Sequence, residues 1–173
     1  MKKLNLTEQL VLFAAEIGYH SIPPGVIEVQ KMAFIDAISV MLAATTLEPA
    51  CQKFVELAKK YGGHGSCTIL GAGFKTSPDM AALANGSFAH ALDFEDSHDA
   101  AFVHSNAVSI PAVLAAAESI GGVDGKELLT AMVLGSEITC RLSLGLNEDL
   151  LKYGWYMPPV HGSMGAVFAV SRI

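Results

Sequence analysis

The chain has 173 residues, enough for one domain with a sizeable core, and its 51% hydrophobic and 16% charged residues exclude a disordered chain. A net charge of −6 without a basic cluster argues against nucleic acid as a partner. Three well-separated cysteines, Cys51, Cys67 and Cys140, form no CxxC pair; they read as reduced thiols of a cytoplasmic protein, not as a zinc ribbon or an iron–sulfur cluster.

In chain order, the N-terminal stretch opens with two lysines, as a signal peptide does. Asn5, Glu8, Gln9 and Glu16 interrupt any apolar core of such a peptide, and no A-x-A site follows. Thr7 is a candidate cap for a helix to about Ile17, with Leu10, Phe13 and Ala14 on one side. "SIPP" is a linker, and Pro24 starts a long helix to about Ala44 whose apolar stripe is Val26, Val29, Ala33, Ala37, Val40 and Met41. Pro49 opens a third helix, stopped by Gly62-Gly63. "SCTIL", from Ser66 to Leu70, is the one strand-like run.

Ser77-Pro78 is a strong helix start, and the alanine-rich segment after it predicts a helix to about Phe94. Asn106 or Ser109 begins the next helix, to about Ile120, and Asp124 caps one from Gly125 to about Leu144. A last helix begins near Gly162. The class is all-α, with at most one or two short strands and no repeat. The longest stretch without a formal charge, Ala100 to Ala117, holds His104, Ser105, Asn106, Ser109 and Pro111, so no membrane span is expected. Mean hydropathy is nevertheless +0.42, a surplus that predicts a large buried interface in an oligomer or against a partner. "GSMGAVFAVSRI" stays apolar and helical to Ile173 without a capping glycine, which predicts that the sequence is the front part of something longer.

Three motif echoes fail on their chemistry. "GAGFKTS" has Phe74 where a phosphate loop needs glycine before its lysine. "HGSMG" has His161 at the first glycine of a nucleophile elbow and no strand before it. "DFEDSHDAAFVH" spaces oxygens like a calcium loop, but puts His98 at the sixth position and His104 at the twelfth, which should be Gly and Glu.

The chemistry concentrates in "LDFEDSHDAAFVHSNA", Leu92 to Ala107, with four carboxylates and two histidines in an otherwise apolar chain. If the Ser77 helix continues through it, His90, Asp93 and Ser97 fall at i, i+3 and i+7 on one face. His104 then folds back toward Asp93. Glu95, about 200° round from Asp93 at about 100° per residue, points to solvent together with Asp99. An acid, a hydroxyl and an imidazole in one concave site could move protons on a carboxylated substrate. The competing reading is a solvated helix end.

"ALANGSFAHALDFEDSH", Ala82 to His98, resembles the signature A-x-x-N-G-x-x-A-H-x-x-D-[FY]-D-D-[ST] of the MmgE/PrpD family. That family includes 2-methylcitrate dehydratase, cis-aconitate decarboxylase and iminodisuccinate epimerase. "LTEQLVLFAAEI", Asp36 of "FIDAISVMLA", the run from Ile110 to Leu142 and "HGSMGAVFA" fall in family order. The resemblance implies a large helical domain plus a smaller α+β lid, usually in a homodimer. Residues 1–173 would make up the N-terminal portion of the helical domain, without the lid and the later helices. It implies catalytic roles for Asp93, Ser97 and His104, with Asn85 and Gly86 structural and His90 at a signature position beside the substrate. Tyr156 stands where many members carry a pocket histidine, and His161, five residues on, is the candidate to take its place. Glu95 replaces the usual Asp. No metal or cofactor is implied, and the family's active-site lysines would come from later sequence.

On that resemblance the expected function is a lyase acting on small polycarboxylates, by dehydration or decarboxylation, or an epimerase of the same family. The chain would be a fragment, or one part of a split enzyme completed by a C-terminal polypeptide. The alternatives are a non-catalytic truncated remnant and a helical oligomerisation or ligand-binding module.

Overall fold

A computed structural model describes residues 4–146 and 150–173; residues 1–3, with the two lysines of the signal-like start, lie outside it. Its elements are α1 (Leu6–Glu16), α2 (Pro24–Leu47), α3 (Cys51–Tyr61), β1 (Cys67–Thr68), β2 (Lys75–Thr76), α4 (Pro78–His90), α5 (Ser105–Ser119), α6 (Gly125–Leu144) and α7 (Met157–Arg172), with short 3-10 turns at Tyr19–Ser21 and Leu150–Tyr153. The protein is all-α apart from one antiparallel two-stranded ladder, Cys67 opposite Thr76 and Thr68 opposite Lys75. The glycines of the phosphate-loop echo serve that hairpin: Gly71 and Gly73, at φ 71° and 75°, take the left-handed backbone its connection needs.

Local chemistry sets most boundaries. Asn5, and not Thr7, caps α1: its side chain accepts from the Glu8 amide at 2.9 Å while Glu8 accepts from the Asn5 amide at 2.8 Å, a reciprocal capping box. Asp124 caps α6 by accepting from the amides of Lys126 and Glu127. Pro24 and Pro78 stand at the first turns of α2 and α4, where a missing amide proton costs nothing. α7 starts at Met157, five residues before Gly162, because Pro158 and Pro159 sit in its first turn and not in a linker.

α5 is the central helix, packed against α4, α6 and α7. It is apolar or small on nearly every side, and Ile110, Pro111, Val113 and Ala115 are buried. Helices crowd it because small residues let them. A Cβ on Gly135 would stand 2.8 Å from Ser109 Oγ, and one on Gly162 would stand 2.7 Å from Val108 Cγ2. The "HGSMG" segment is therefore a packing device at the α5–α7 crossing.

The apolar stripe expected on α2 is only half correct. Ala37, Val40, Met41 and Ala44 are buried, but Val26 and Val29 are exposed and Ile27 and Gln30 take their place inside. The face left outside also carries Met32 and Ile35, each more than 60% exposed, while α1 has no buried residue and α7 shows Met164 and Val167. Among the described residues no helix is long and apolar enough to cross a membrane. The three cysteines are free thiols.

Candidate functional site

α4 ends at His90, four residues short of the expected Phe94, and the reason is Asp93. Its φ is 51°, in the left-handed region, which an aspartate tolerates better than a bulky residue. The Asp93 amide donates to the His90 carbonyl at 3.1 Å in a closing turn. The helical phase that would align His90, Asp93 and Ser97 is thus broken. Ser97 is exposed on the α4–α5 connection and does not line the pocket described below.

That connection is held at both ends. His98 pairs with Val103 in an isolated antiparallel bridge, and its Nδ1 accepts from the Ala101 amide at 3.2 Å, which is a structural role. Asp96 accepts from Ser105 Oγ at 2.9 Å and from the Asn106 amide at 3.1 Å, so it caps α5 from outside the helix. The Asp96 carbonyl lies 2.9 Å from His104 Nδ1. A carbonyl only accepts, so Nδ1 carries the proton and Nε2 is left with its lone pair.

Glu95 overturns the expectation of a solvated side chain. Its side chain is only 2% exposed, its Oε1 pairs with His90 Nδ1 and lies 3.9 Å from His104 Nδ1, and its Oε2 is buried without a hydrogen-bond partner. The broken helix turns Glu95 inward, so counting 100° per residue from α4 misplaced it. Asp99 is exposed, as expected. Asp93 is exposed too, but a carboxylate oxygen of Asp93 lies within 4.8 Å of donor atoms of His90, Glu95 and His104. The acid and the imidazole named from the sequence are brought together, with Glu95 added and Ser97 left out. The signal for Glu95 was present: it occupies the second acidic position of the signature.

His90, His104 and Tyr156 open onto one pocket of about 870 Å³, a size typical of small-molecule sites. The imidazole rings of His90 and His104 are 5.4 Å apart, and the Tyr156 ring is 6.4 Å from that of His90. Phe54, Leu83, Ala107, Val108 and Pro158 form apolar walls. Among the described residues no lysine or arginine lines the pocket, and Glu48 is its one carboxylate.

His161 is not in that lining. It is 7% exposed on α7, its Nδ1 has no hydrogen-bond partner, and burial lowers its pKa from the ordinary 6.5. The folded protein thus holds His161 neutral while the unfolded chain takes up a proton. Stability is complete above about pH 6.5 and falls as the pH drops below it. A thermal melt series from pH 7.5 to 5.5 is expected to show a steeper decline for the wild type than for His161→Leu. Parallel declines would remove His161 as the cause.

Residues 8–173 match the family model for the MmgE/PrpD N-terminal domain. The chain is 34% identical, over 98% of its length, to a cis-aconitate decarboxylase-like protein of Aspergillus oryzae. It is 27% identical over 99% to a cis-aconitate decarboxylase of Aspergillus terreus, and 27% over 97% to one of Mus musculus. It spans only 36%, 36% and 35% of those three relatives. The match runs through every helix described above and through the His90–His104 cluster, and the chain belongs to the MmgE/PrpD family by its N-terminal domain.

Proposed function

We propose that this domain contributes the imidazole side of the active site of a cis-aconitate decarboxylase-like lyase acting on a small polycarboxylate. The observation that carries the reading is His104: Nδ1 is fixed on the Asp96 carbonyl, and the ring lines the pocket beside His90 and Tyr156. A ring held by one nitrogen presents the other in a defined direction, which general acid–base catalysis needs. In a decarboxylation the carbon–carbon bond breaks, carbon dioxide leaves, and the electron pair passes into the neighbouring conjugated carboxylate system. Protonated His104 would return a proton to the carbon. Neutral, it would remove one in a dehydration or an epimerisation, so the same ring serves the other reactions of the family. The names of the relatives favour decarboxylation.

The pocket's charge supports a second part of the proposal. A polyanionic substrate needs cations, and the described lining offers no lysine or arginine and one carboxylate, Glu48. The cationic groups would come from the remaining two-thirds of a relative-sized protein, either later in the same polypeptide or as a complementing one. The exposed apolar faces of α1, α2 and α7 would then be covered by that part or by a second copy in a homodimer.

The domain is expected to turn over cis-aconitate poorly by itself, because groups that act as a unit lose most of their effect when one is missing. Adding the complementary C-terminal part should restore turnover, followed by NMR on cis-aconitate, 2-methylcitrate and iminodisuccinate in parallel. A folded complex inactive on all three acids would refute the lyase reading. It would favour a helical binding module.

A further inference from the structure

His90 and His104 of the pocket lining cluster with Asp93 and Glu95, and the four side chains invite a different ligand from the polycarboxylate. We propose that His90, Asp93, Glu95 and His104 form a binding site for a divalent cation of the zinc class, and that the bound ion blocks His104. The binding stands on geometry alone; the inhibitory consequence rests on the lyase reading.

Donor type comes first. Two imidazoles and two carboxylates, one atom from each within 4.8 Å of the others, are the mixed nitrogen and oxygen set that selects zinc-class ions over magnesium or calcium, which take oxygen. The second observation is independent of the clustering. Glu95 is a carboxylate at 2% exposure with one oxygen, Oε2, that has no partner. A buried carboxylate oxygen without a hydrogen bond costs free energy unless something cationic meets it. Glu95 belongs to the cluster, and two of its other members, His90 and Asp93, are exposed to solvent.

His104 is also held as metal-binding imidazoles are. Such rings donate their second nitrogen to a carboxylate or a backbone carbonyl, which fixes the ring and raises its basicity. His104 Nδ1 is paired in this way with the Asp96 carbonyl, whereas His90 Nδ1 faces Glu95 Oε1 inside the cluster, a contact that the ion would replace. The fit requires some closure. Bonds of about 2.1 Å set the donors of a tetrahedral zinc about 3.4 Å apart. His90 and Asp93 are the exposed members of the cluster, so the closure would fall to them. An ion on this cluster would occupy the lone pair that His104 needs to move a proton.

The experiment is calorimetric titration of zinc ion into the chelator-stripped protein at neutral pH. It is compared with Glu95→Gln, His90→Ala and, as an exposed imidazole elsewhere, His64→Ala, each checked for an unchanged melting temperature. The expected result is one saturable site per chain, weakened at least about tenfold by Glu95→Gln and by His90→Ala. His64→Ala should leave it unchanged. No saturable binding, or binding that ignores both cluster substitutions, would overturn the proposal. With cis-aconitate turnover restored by the complementary part, zinc should inhibit over the concentration range in which it binds, and a chelator should reverse it. Full turnover with the site saturated would refute the blocking role. Loss of the lyase reading shows differently: zinc binding that depends on Glu95, with no turnover at any zinc level.

Discussion

In a complete enzyme built on this domain, His104→Ala is expected to lower kcat on cis-aconitate by about a hundredfold or more, the usual size for a general acid or base. The melting temperature should change little, since the His104 ring is not in the apolar core and its single hydrogen bond goes to the Asp96 backbone. That contrast separates a catalytic ring from a structural one. His98, five residues after Asp93 in the same connection, is the internal control. Its Nδ1 accepts from the Ala101 amide and its backbone pairs with Val103, so His98→Ala should cost stability before it costs kcat. Equal kcat losses for the two histidines would mean that the connection as a whole, and not His104, had been disturbed.

Glu95→Gln should fall between wild type and His104→Ala. The amide keeps the buried shape but removes the charge that pairs with His90 Nδ1, so the effect reaches the substrate through His90 and through the field at the pocket mouth. KM should move at least as much as kcat, because His90 lines the pocket without being the proposed proton carrier. A Glu95→Gln enzyme indistinguishable from wild type would return Glu95 to the role of a solvated side chain, against its 2% exposure.

The fold was legible at Pro24, Pro78 and Asp124, which mark helix starts that the structure reproduces, but not at Thr7, where Asn5 is the cap, nor at Pro158 and Pro159, which open α7. It was not legible at Asp93, because an aspartate in left-handed backbone leaves no sequence sign comparable to a glycine, and α4 was carried four residues too far. The error propagated. A helical count assigns Glu95 to solvent and Ser97 to the site, whereas a turn at Asp93 exchanges them. His104 was legible as an imidazole folding back toward Asp93, but Tyr156 only through the family resemblance, since no local periodicity brings residues fifty apart to one pocket. The orphaned oxygen of Glu95 was not legible at all: it depends on which partners the fold supplies, a tertiary property.

Gly165→Ala is expected to destabilise the protein by about 1–3 kcal/mol or more, although alanine is the better helix former by about 1 kcal/mol. The sign is decided by space. A Cβ on Gly165 would lie 2.0 Å from Thr139 Oγ1 and 2.5 Å from the Gly135 carbonyl oxygen. The first contact can be relieved by trimming the threonine, but the second is backbone and yields only if α7 moves away from α6. That movement would also loosen the approach of Ala169 to Gly135 and of Gly162 to Val108, so the cost spreads through the α5–α6–α7 core. The double substitution Gly165→Ala with Thr139→Ala should therefore recover part of the loss and not all of it. Gly25→Ala, in the first turn of α2 with nothing within 4 Å of its added Cβ, should instead leave stability unchanged or raise it by a few tenths of a kcal/mol. Urea denaturation of the wild type and these three variants decides the matter. A Gly165→Ala protein as stable as Gly25→Ala would show that the helices of the core do not approach as closely as the structure places them.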